Sequence, residues 1–244
     1  MREYYYDLHL HSCLSPCGDE DNTPNNIAGM ASLCGIEIAA LTDHNTCKNC
    51  PAFFEAAERN GIIPVAGMEL TTSEDIHAVC LFVELEDAMR FDAYVDTRRF
   101  KIKNKPKIFG EQLVLDGEDE VVGVEEFLLT NATSISIEEA PELVRQFGGV
   151  CYPAHIDRQS NGIIAILGTL PEEPRFNTVE FRSGDSVSEY TEKFGLSDKQ
   201  IVISSDAHYL TDIRDAQNKI VLCCEADDHR AVRLELIKKL GGKL

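Results

Sequence analysis

Positive charge is scarce in this sequence. Lysine and arginine number 23 against 42 aspartates and glutamates, a formal net charge of −19 over 244 residues. A field of that sign repels long polyanions unless metal ions or a local basic patch reverse it, so extended nucleic acid is a disfavoured partner. No apolar run is long enough to span a bilayer, and Met1 to Leu10 lacks the apolar core of a signal peptide. The expectation is a cytoplasmic protein with no membrane partner. A secreted-scaffold cysteine spacing is also missing. The nine cysteines are odd in number, and some sit inside apolar runs such as Ala78-Val79-Cys80-Leu81, which predicts reduced thiols. Two pairs, Cys13 with Cys17 and Cys47 with Cys50, follow histidine motifs. They would make a four-thiolate metal site if their loops converged, although the first spacing is looser than a zinc knuckle.

What is present is an alternation of short β-branched runs with helix-like segments, the pattern of βα units around a parallel sheet. Strands are predicted at Tyr4–Leu10, Glu37–Thr42, Ile62–Met68, His77–Val83, Gly149–Pro153, Thr178–Phe181, Ile201–Ser204 and Lys219–Cys223. Asn22-Thr23-Pro24 caps a helix to about Leu33, and Pro51 opens another that Asn60-Gly61 closes. Ser136-Ile137-Glu138-Glu139 is a capping-box start, and a last helix is expected near Asp227–Leu240. The chain length suits one α/β barrel domain over residues 1–244. A charged insertion at about 101–130 interrupts it, reading as a hairpin around Asp116-Gly117-Glu118-Asp119, either a surface excursion or a substrate lid.

Six of the seven histidines fall at the ends or starts of these strands. In a parallel barrel the C-terminal rim gathers residues remote in sequence, so the placement itself is informative. His9 and His11 flank Leu10 and project to one face of the first strand. Asp43-His44, Glu69, Ala154-His155 and Asp206-Ala207-His208 follow later strands, and His77 begins one. Imidazoles and carboxylates without obligatory thiolate suit zinc, manganese or iron better than a calcium cage. His229 matches no motif and reads as a surface residue. Asp43 could orient His44 or cap the following turn, and Ser205 is equally ambiguous.

The ordered set Asp7-Leu8-His9-Leu10-His11-Ser12, Leu41-Thr42-Asp43-His44, Gly67-Met68-Glu69, Pro153-Ala154-His155 and Ser205-Asp206-Ala207-His208 resembles the polymerase and histidinol phosphatase (PHP) superfamily of metal-dependent phosphoesterases. The resemblance implies a distorted seven-stranded TIM-like α/β barrel holding two to three divalent ions (Zn, Mn or Fe) at its rim. One ion would take His9, His11, Glu69 and Asp206; a second Glu69, His77 and His155; a third His44, His208 and a residue after His11. Family members usually place an Asp or His there, where this chain reads Ser15-Pro16-Cys17-Gly18-Asp19. Asp19 is the expected ligand, with Cys17 its competitor and Asp21 a more distant one.

Metals so held would lower the pKa of a bridging water and produce hydroxide for in-line attack on phosphorus, with Glu69, Asp206 and His208 as the catalytic residues. Arg158 and Arg182 lie just beyond motif strands, and their guanidinium forks suit a phosphate. The expected function is hydrolysis of a small phosphorylated metabolite or nucleotide. The alternatives are a nuclease acting on oligonucleotide ends, an amidohydrolase-type C–N hydrolase and a non-catalytic module of the same fold. The amidohydrolase reading is weakened because no candidate middle strand carries the lysine that such enzymes carboxylate. Protein partners are not legible.

Overall fold

A computed structural model describes residues 1–224 and 227–241. In chain order it contains β1 (Arg2–Leu10), α1 (Pro24–Leu33), β2 (Ile38–Leu41), α2 (Cys50–Asn60), β3 (Ile63–Thr71), β4 (His77–Phe82) and α3 (Leu85–Asp96). The inserted segment holds α4 (Pro106–Phe109), β5 (Leu113–Leu115) and β6 (Val121–Val124). Then come α5 (Ala140–Gln146), β7 (Gly149–Pro153), α6 (Ile163–Leu167), β8 (Thr178–Phe181), α7 (Val187–Phe194), β9 (Gln200–Ile203), β10 (Lys219–Leu222) and α8 (His229–Lys239). Thr23 caps α1 by accepting from Asn26 N–H, and α2 ends at Gly61 in the left-handed conformation (φ 70°), where a side chain would be strained. The Ser136 cap forms, Glu139 N–H donating to Ser136 Oγ at 3.1 Å, but the regular helix begins only at Ala140.

Every predicted strand is present, but the expected distorted barrel of seven strands is built instead as a curled sheet and a separate pair. The main sheet is a curled, six-stranded ladder in the order β10-β1-β2-β3-β4-β7, and β8-β9 form a separate parallel pair. Backbone bonds tie that pair to both sides of the curl. Ile156 N–H, just after β7, donates to Glu180 O at 2.8 Å, and His11 N–H donates to Ala207 O at 3.0 Å. The strands are also not uniformly parallel. β1-β2-β3 are, but β3-β4 and β4-β7 pair antiparallel, because the link from Thr71 to His77 is too short for a helical crossover and makes a hairpin. The extra strand β10 pairs antiparallel with β1.

Alternation along the strands sorts the core into two layers. Tyr4, Leu8, Ala40, Val65, Val79, Tyr152 and Val202 point into the concave side, which Val232, Leu236 and Ile237 of α8 help to fill. Ala39, Leu41, Met68, Cys80 and Phe181 face outward onto Ile27, Phe53, Ala56, Phe91 and Val144 of the helices. Each large apolar side chain so buried contributes about 1.5–3 kcal/mol. The insertion forms the expected hairpin, pairing Leu113 with Val124, and docks against the barrel flank. Thr23 Oγ1 donates to Asp119 Oδ2 at 2.5 Å, Asn49 Oδ1 accepts from Leu115 N–H, and Lys48 and Arg99 both pair with buried Glu125. No helix among the described residues is long and apolar enough to cross a membrane.

Candidate metal centre

The concave side of β1 changes character at a bulge. Between Asp7 and Leu10, three steps along β1 match two along β2, from Ala39 to Leu41. A bulge re-aims side chains. Here Leu8 faces the interior while Leu10 packs outward with Leu41, so His9 and His11 turn into the mouth of the curl. Their Nε2 atoms face each other 3.1 Å apart. Antiparallel β4 explains why His77, at the start of its strand, reaches the same rim as residues that end theirs: Thr71 and His77 are register partners. His155 (φ 28°) and Asp206 (φ 53°) lie in the left-handed region, where the chain turns sharply off the preceding strand.

Glu69 stands at the centre. Its Oε1 lies 2.7 Å from His77 Nδ1 and 2.9 Å from His155 Nε2. Its Oε2 lies 2.9 Å from His44 Nδ1, 3.2 Å from His11 Nε2 and 3.4 Å from His9 Nε2. Asp206 Oδ1 faces His11 Nε2 at 3.4 Å and His9 Nε2 at 3.6 Å. Donor atoms fall within 4.8 Å of one another in three sets: His9, His11, Glu69 and Asp206; His44, Glu69 and His77; His11, His44 and His208. The first set brings together the four residues that the resemblance implied for one ion. In the second, His44 joins Glu69 and His77, while His155 touches the same carboxylate. In the third, His11 stands with His44 and His208.

The donor set fits divalent cations. Glu69 Oε2, Asp206 Oδ1 and His44 Nδ1 are buried and lie close to one another or to neighbouring imidazoles without hydrogen-bond geometry, an arrangement that costs free energy unless a cation completes it. Burial alone would raise the Glu69 carboxyl, but His77, His9 and His44 outweigh it and hold Glu69 well below the usual carboxylate range. Asp206 is lowered as well, burial being overcome first by His9 and then by His11. His77 is pulled down to about 4, chiefly by burial, which leaves its imidazole neutral as a ligand must be.

Residues beneath the cluster hold it in place, and no motif marked most of them. Glu180 Oε1 lies 2.7 Å from His9 Nδ1 and accepts from His155 N–H at 3.2 Å, fixing one imidazole and one strand end. A fully buried glutamate inside the apolar strand Thr178–Phe181 was the available signal. Asp43 braces the loop after His11 rather than His44. It accepts from Ser12 N–H (2.7 Å), Ser12 Oγ (2.6 Å) and Ser15 Oγ (2.7 Å), and Ser15 Oγ is 3.1 Å from His11 Nδ1. Asp92 on α3 accepts from Thr46 Oγ1 and Cys47 N–H at 2.7 and 2.8 Å, pinning the loop behind His44. Ser205 N–H donates to Asp7 Oδ1 at 3.1 Å.

The remaining expected site residues divide. Arg158 Nη1 lies 2.9 Å and Arg182 Nε 3.5 Å from Asp206 Oδ2, with side chains 33% and 41% exposed, so both reach the mouth. Asp19 does not join the donor sets: its Oδ1 accepts from Asp21 N–H at 2.9 Å in a local turn, while its own N–H donates to His208 O. Cys17 is exposed on the same loop and likewise joins none of the donor sets. Desolvation raises its thiol, yet His44 and His208 outweigh this and bring it to about 5. The four-thiolate alternative is not formed. Cys47 and Cys50 are buried and donate to backbone carbonyls, and no cysteine group qualifies among the described residues. His229 starts α8, apart from the rim. The insertion borders a cleft of about 470 Å³ beside Cys17 and Tyr209 through Phe109, Gly110 and Glu111, not through its lysines.

Comparison with known proteins places this geometry. The model of the PHP domain family matches residues 7–129. An uncharacterized protein of Methanocaldococcus jannaschii is 34% identical over 76 residues, covering 28% of this chain and 44% of that protein. Among solved structures, a lesion-specific endonuclease from Pyrococcus furiosus superposes with a TM-score of 0.66 at 17% identity, over 99% of this chain and 57% of the endonuclease. A protein described as a metal-dependent phosphoesterase from Bifidobacterium adolescentis gives 0.60 at 18%, over 98% and 97% of the two chains. An amidohydrolase from Chromobacterium violaceum with bound sulfate gives 0.58 at 17%, over 94% and 96%. The chain thus spans little more than half of the endonuclease, and the M. jannaschii match less than half of that relative. At these identities the solved structures share its fold, including the TIM-like curl.

Proposed function

This chain belongs to the PHP domain family, and on that premise we propose that it is a metal-dependent phosphoesterase that hydrolyses small phosphorylated metabolites or nucleotides. The observation that carries the reading is the convergence of His9, His11, Glu69 and Asp206 with two guanidinium groups set against the outer oxygen of the same aspartate. Divalent ions at such a site supply Lewis acidity that activates a water and neutralises phosphate oxygens. His9, His11, Glu69 and Asp206 would hold one ion; Glu69 with His77 and His155 a second; His44 and His208 belong to a third. Glu180 and Ser15 keep His9 and His11 aimed.

The arginines favour a phosphate over an amide. Each is partly exposed beside Asp206, and a guanidinium is permanently charged and is no cation ligand, so its role falls on the substrate side. Neutralising three phosphoryl oxygens calls for such groups, whereas an amide carbonyl does not. Small substrates are favoured over polymers because the chain carries −19 formal charge and the rim cleft is bordered by Asp19, Glu20, Asp21 and Glu111.

The test is a substrate panel assayed with manganese, zinc or iron(II): an aryl phosphate, histidinol phosphate, a nucleoside monophosphate, a nucleoside bisphosphate, a dinucleotide, a long single strand and an amide. Metal-dependent turnover of the small phosphates supports the reading. Turnover of the amide alone, or fastest turnover of the long strand, overturns it.

A further inference from the structure

A pocket of about 250 Å³ opens beside Arg158, lined by residues of α6 and α7. On α7, Tyr190, Lys193 and Phe194 stand three and four residues apart and so share the face turned to it. Tyr190 packs edge-on against Phe181 of β8, 5.7 Å between ring centroids, and tilts onto Phe194 at 5.3 Å, which makes an aromatic wall. Ile164 of α6 adds an aliphatic surface, and Lys193 Nζ rests 5.1 Å from the Phe194 ring centroid. Arg158 belongs to two places at once: it lines the pocket, and its Nη1 lies 2.9 Å from Asp206 Oδ2 in the metal centre. The turn that carries it is tight. Arg158 N–H donates to His155 O at 2.9 Å, and a Cβ at position 162 would fall 2.7 Å from Arg158 O, so Gly162 lets the chain close there.

Charge sets this pocket apart. Among the described residues it is lined by two cationic side chains, Arg158 and Lys193, and by no carboxylate, on a chain of −19 formal charge. Four other cavities, the rim cleft beside Cys17 among them, each carry at least two carboxylates. We propose that this pocket receives the leaving group of the substrate and selects one that has a ring and ends in a carboxylate, with Lys193 as the specificity-determining residue. The volume is just under the roughly 300–1,000 Å³ of pockets for drug-sized ligands and suits a metabolite-sized group, whose ring the apolar wall takes. With the Arg158 fork turned to Asp206 and the scissile phosphate, Lys193 is left to meet the far end of the leaving group. One ammonium balances the single charge of a carboxylate but not the roughly two charges of a second phosphate. A cationic leaving group such as histidinol meets like charge at Arg158 and Lys193 and is selected against. This rests on the phosphoesterase reading above, and the experiment separates the two.

The probes are para-carboxyphenyl, phenyl and para-aminomethylphenyl phosphate, which share a ring and differ in the charge at its far end. Each is assayed as kcat/KM with the metal-loaded protein for wild type, Lys193→Met, Lys193→Glu and, as a control for overall charge, Lys238→Glu on α8. Comparing the carboxyl-to-aminomethyl ratio between variants cancels the intrinsic difference in leaving-group ability. Wild type should favour the carboxylate. Lys193→Met should cut the ratio by about fivefold, the upper end for a charge pair open to solvent, and Lys193→Glu by a similar factor again. Lys238→Glu should leave it within about twofold. Lys193 is exposed, so these changes spare the fold. In parallel, ligand-observed NMR follows binding of para-hydroxybenzoate, the leaving group itself, to zinc-loaded protein, and Lys193→Glu should weaken it. Wherever there is turnover the ratio decides: a wild type that favours the aminomethyl probe, a ratio indifferent to Lys193, or one that Lys238→Glu lowers equally overturns the pocket and leaves the phosphoesterase reading standing. No turnover of any phosphate, with Lys193-dependent binding of para-hydroxybenzoate, overturns the phosphoesterase reading alone. Neither turnover nor Lys193-dependent binding overturns both.

Discussion

Replacing Glu69 by glutamine is the sharpest perturbation this geometry offers. The carboxylate is buried and faces five imidazoles, His77, His155, His44, His11 and His9, at 2.7 to 3.4 Å. Glutamine keeps the shape but removes the charge and converts one oxygen into an N–H donor aimed at the place where a cation belongs. Each lost charge-assisted contact is worth about 1.5–3 kcal/mol, and one oxygen serves each of two donor sets, so the combined loss is roughly 3–6 kcal/mol. That corresponds to about two to four orders of magnitude in kcat/KM. Asp19→Asn should do far less, because Asp19 accepts only from Asp21 N–H, an interaction the asparagine Oδ1 can retain. Its effect should stay within about ±0.5 kcal/mol, the range of ordinary surface changes. The assay pairs metal content by elemental analysis with turnover of an aryl phosphate. Wild type should bind two to three ions per chain, and Glu69→Gln should lose at least one. Equal losses in the two variants, or a Glu69→Gln protein with full metal content and turnover, would refute the shared-carboxylate arrangement.

Arg158→Ala and Arg182→Ala should each lower kcat/KM by about 1.5–3 kcal/mol, or roughly 10- to 150-fold, while metal stoichiometry at saturating ion stays intact. Because both reach Asp206 Oδ2, their removal also tests whether they merely position that carboxylate, which a fall in saturated stoichiometry would reveal. A long single strand should be processed more slowly than a nucleoside bisphosphate under matched salt and metal; a faster rate, with steep loss of affinity as salt rises, would make the chain a nuclease. Asp92→Ala removes the acceptor of two hydrogen bonds behind His44 and should cost about 1.5–3 kcal/mol, lowering Tm by roughly 3–12 °C for a chain of this size. Calorimetry of the zinc-loaded protein checks it, and an unchanged Tm would mean that the loop is held by other contacts.

The sequence alone carried a good deal of this protein. Strand positions were legible because β-branched runs and helix caps are local signals, and the histidine motifs declared their rim because each adjoins one of those runs. His9 and His11 share a face simply because strand side chains alternate. Pairing direction, register and loop path are non-local, and there the structure decided. The short Thr71–His77 link makes β4 antiparallel and brings His77 to the ends of the parallel strands. The bulge between Asp7 and Leu10 turns the two histidines inward. Glu180 matters only because β8 lies against His9, a neighbour 171 positions away in sequence. Between Cys17 and Asp19, two residues apart on one loop, composition could not choose. The packing of Gly18 on Ser12 and the bond from Asp19 N–H to His208 O set the loop's path, which leaves the Asp19 carboxylate in its own turn.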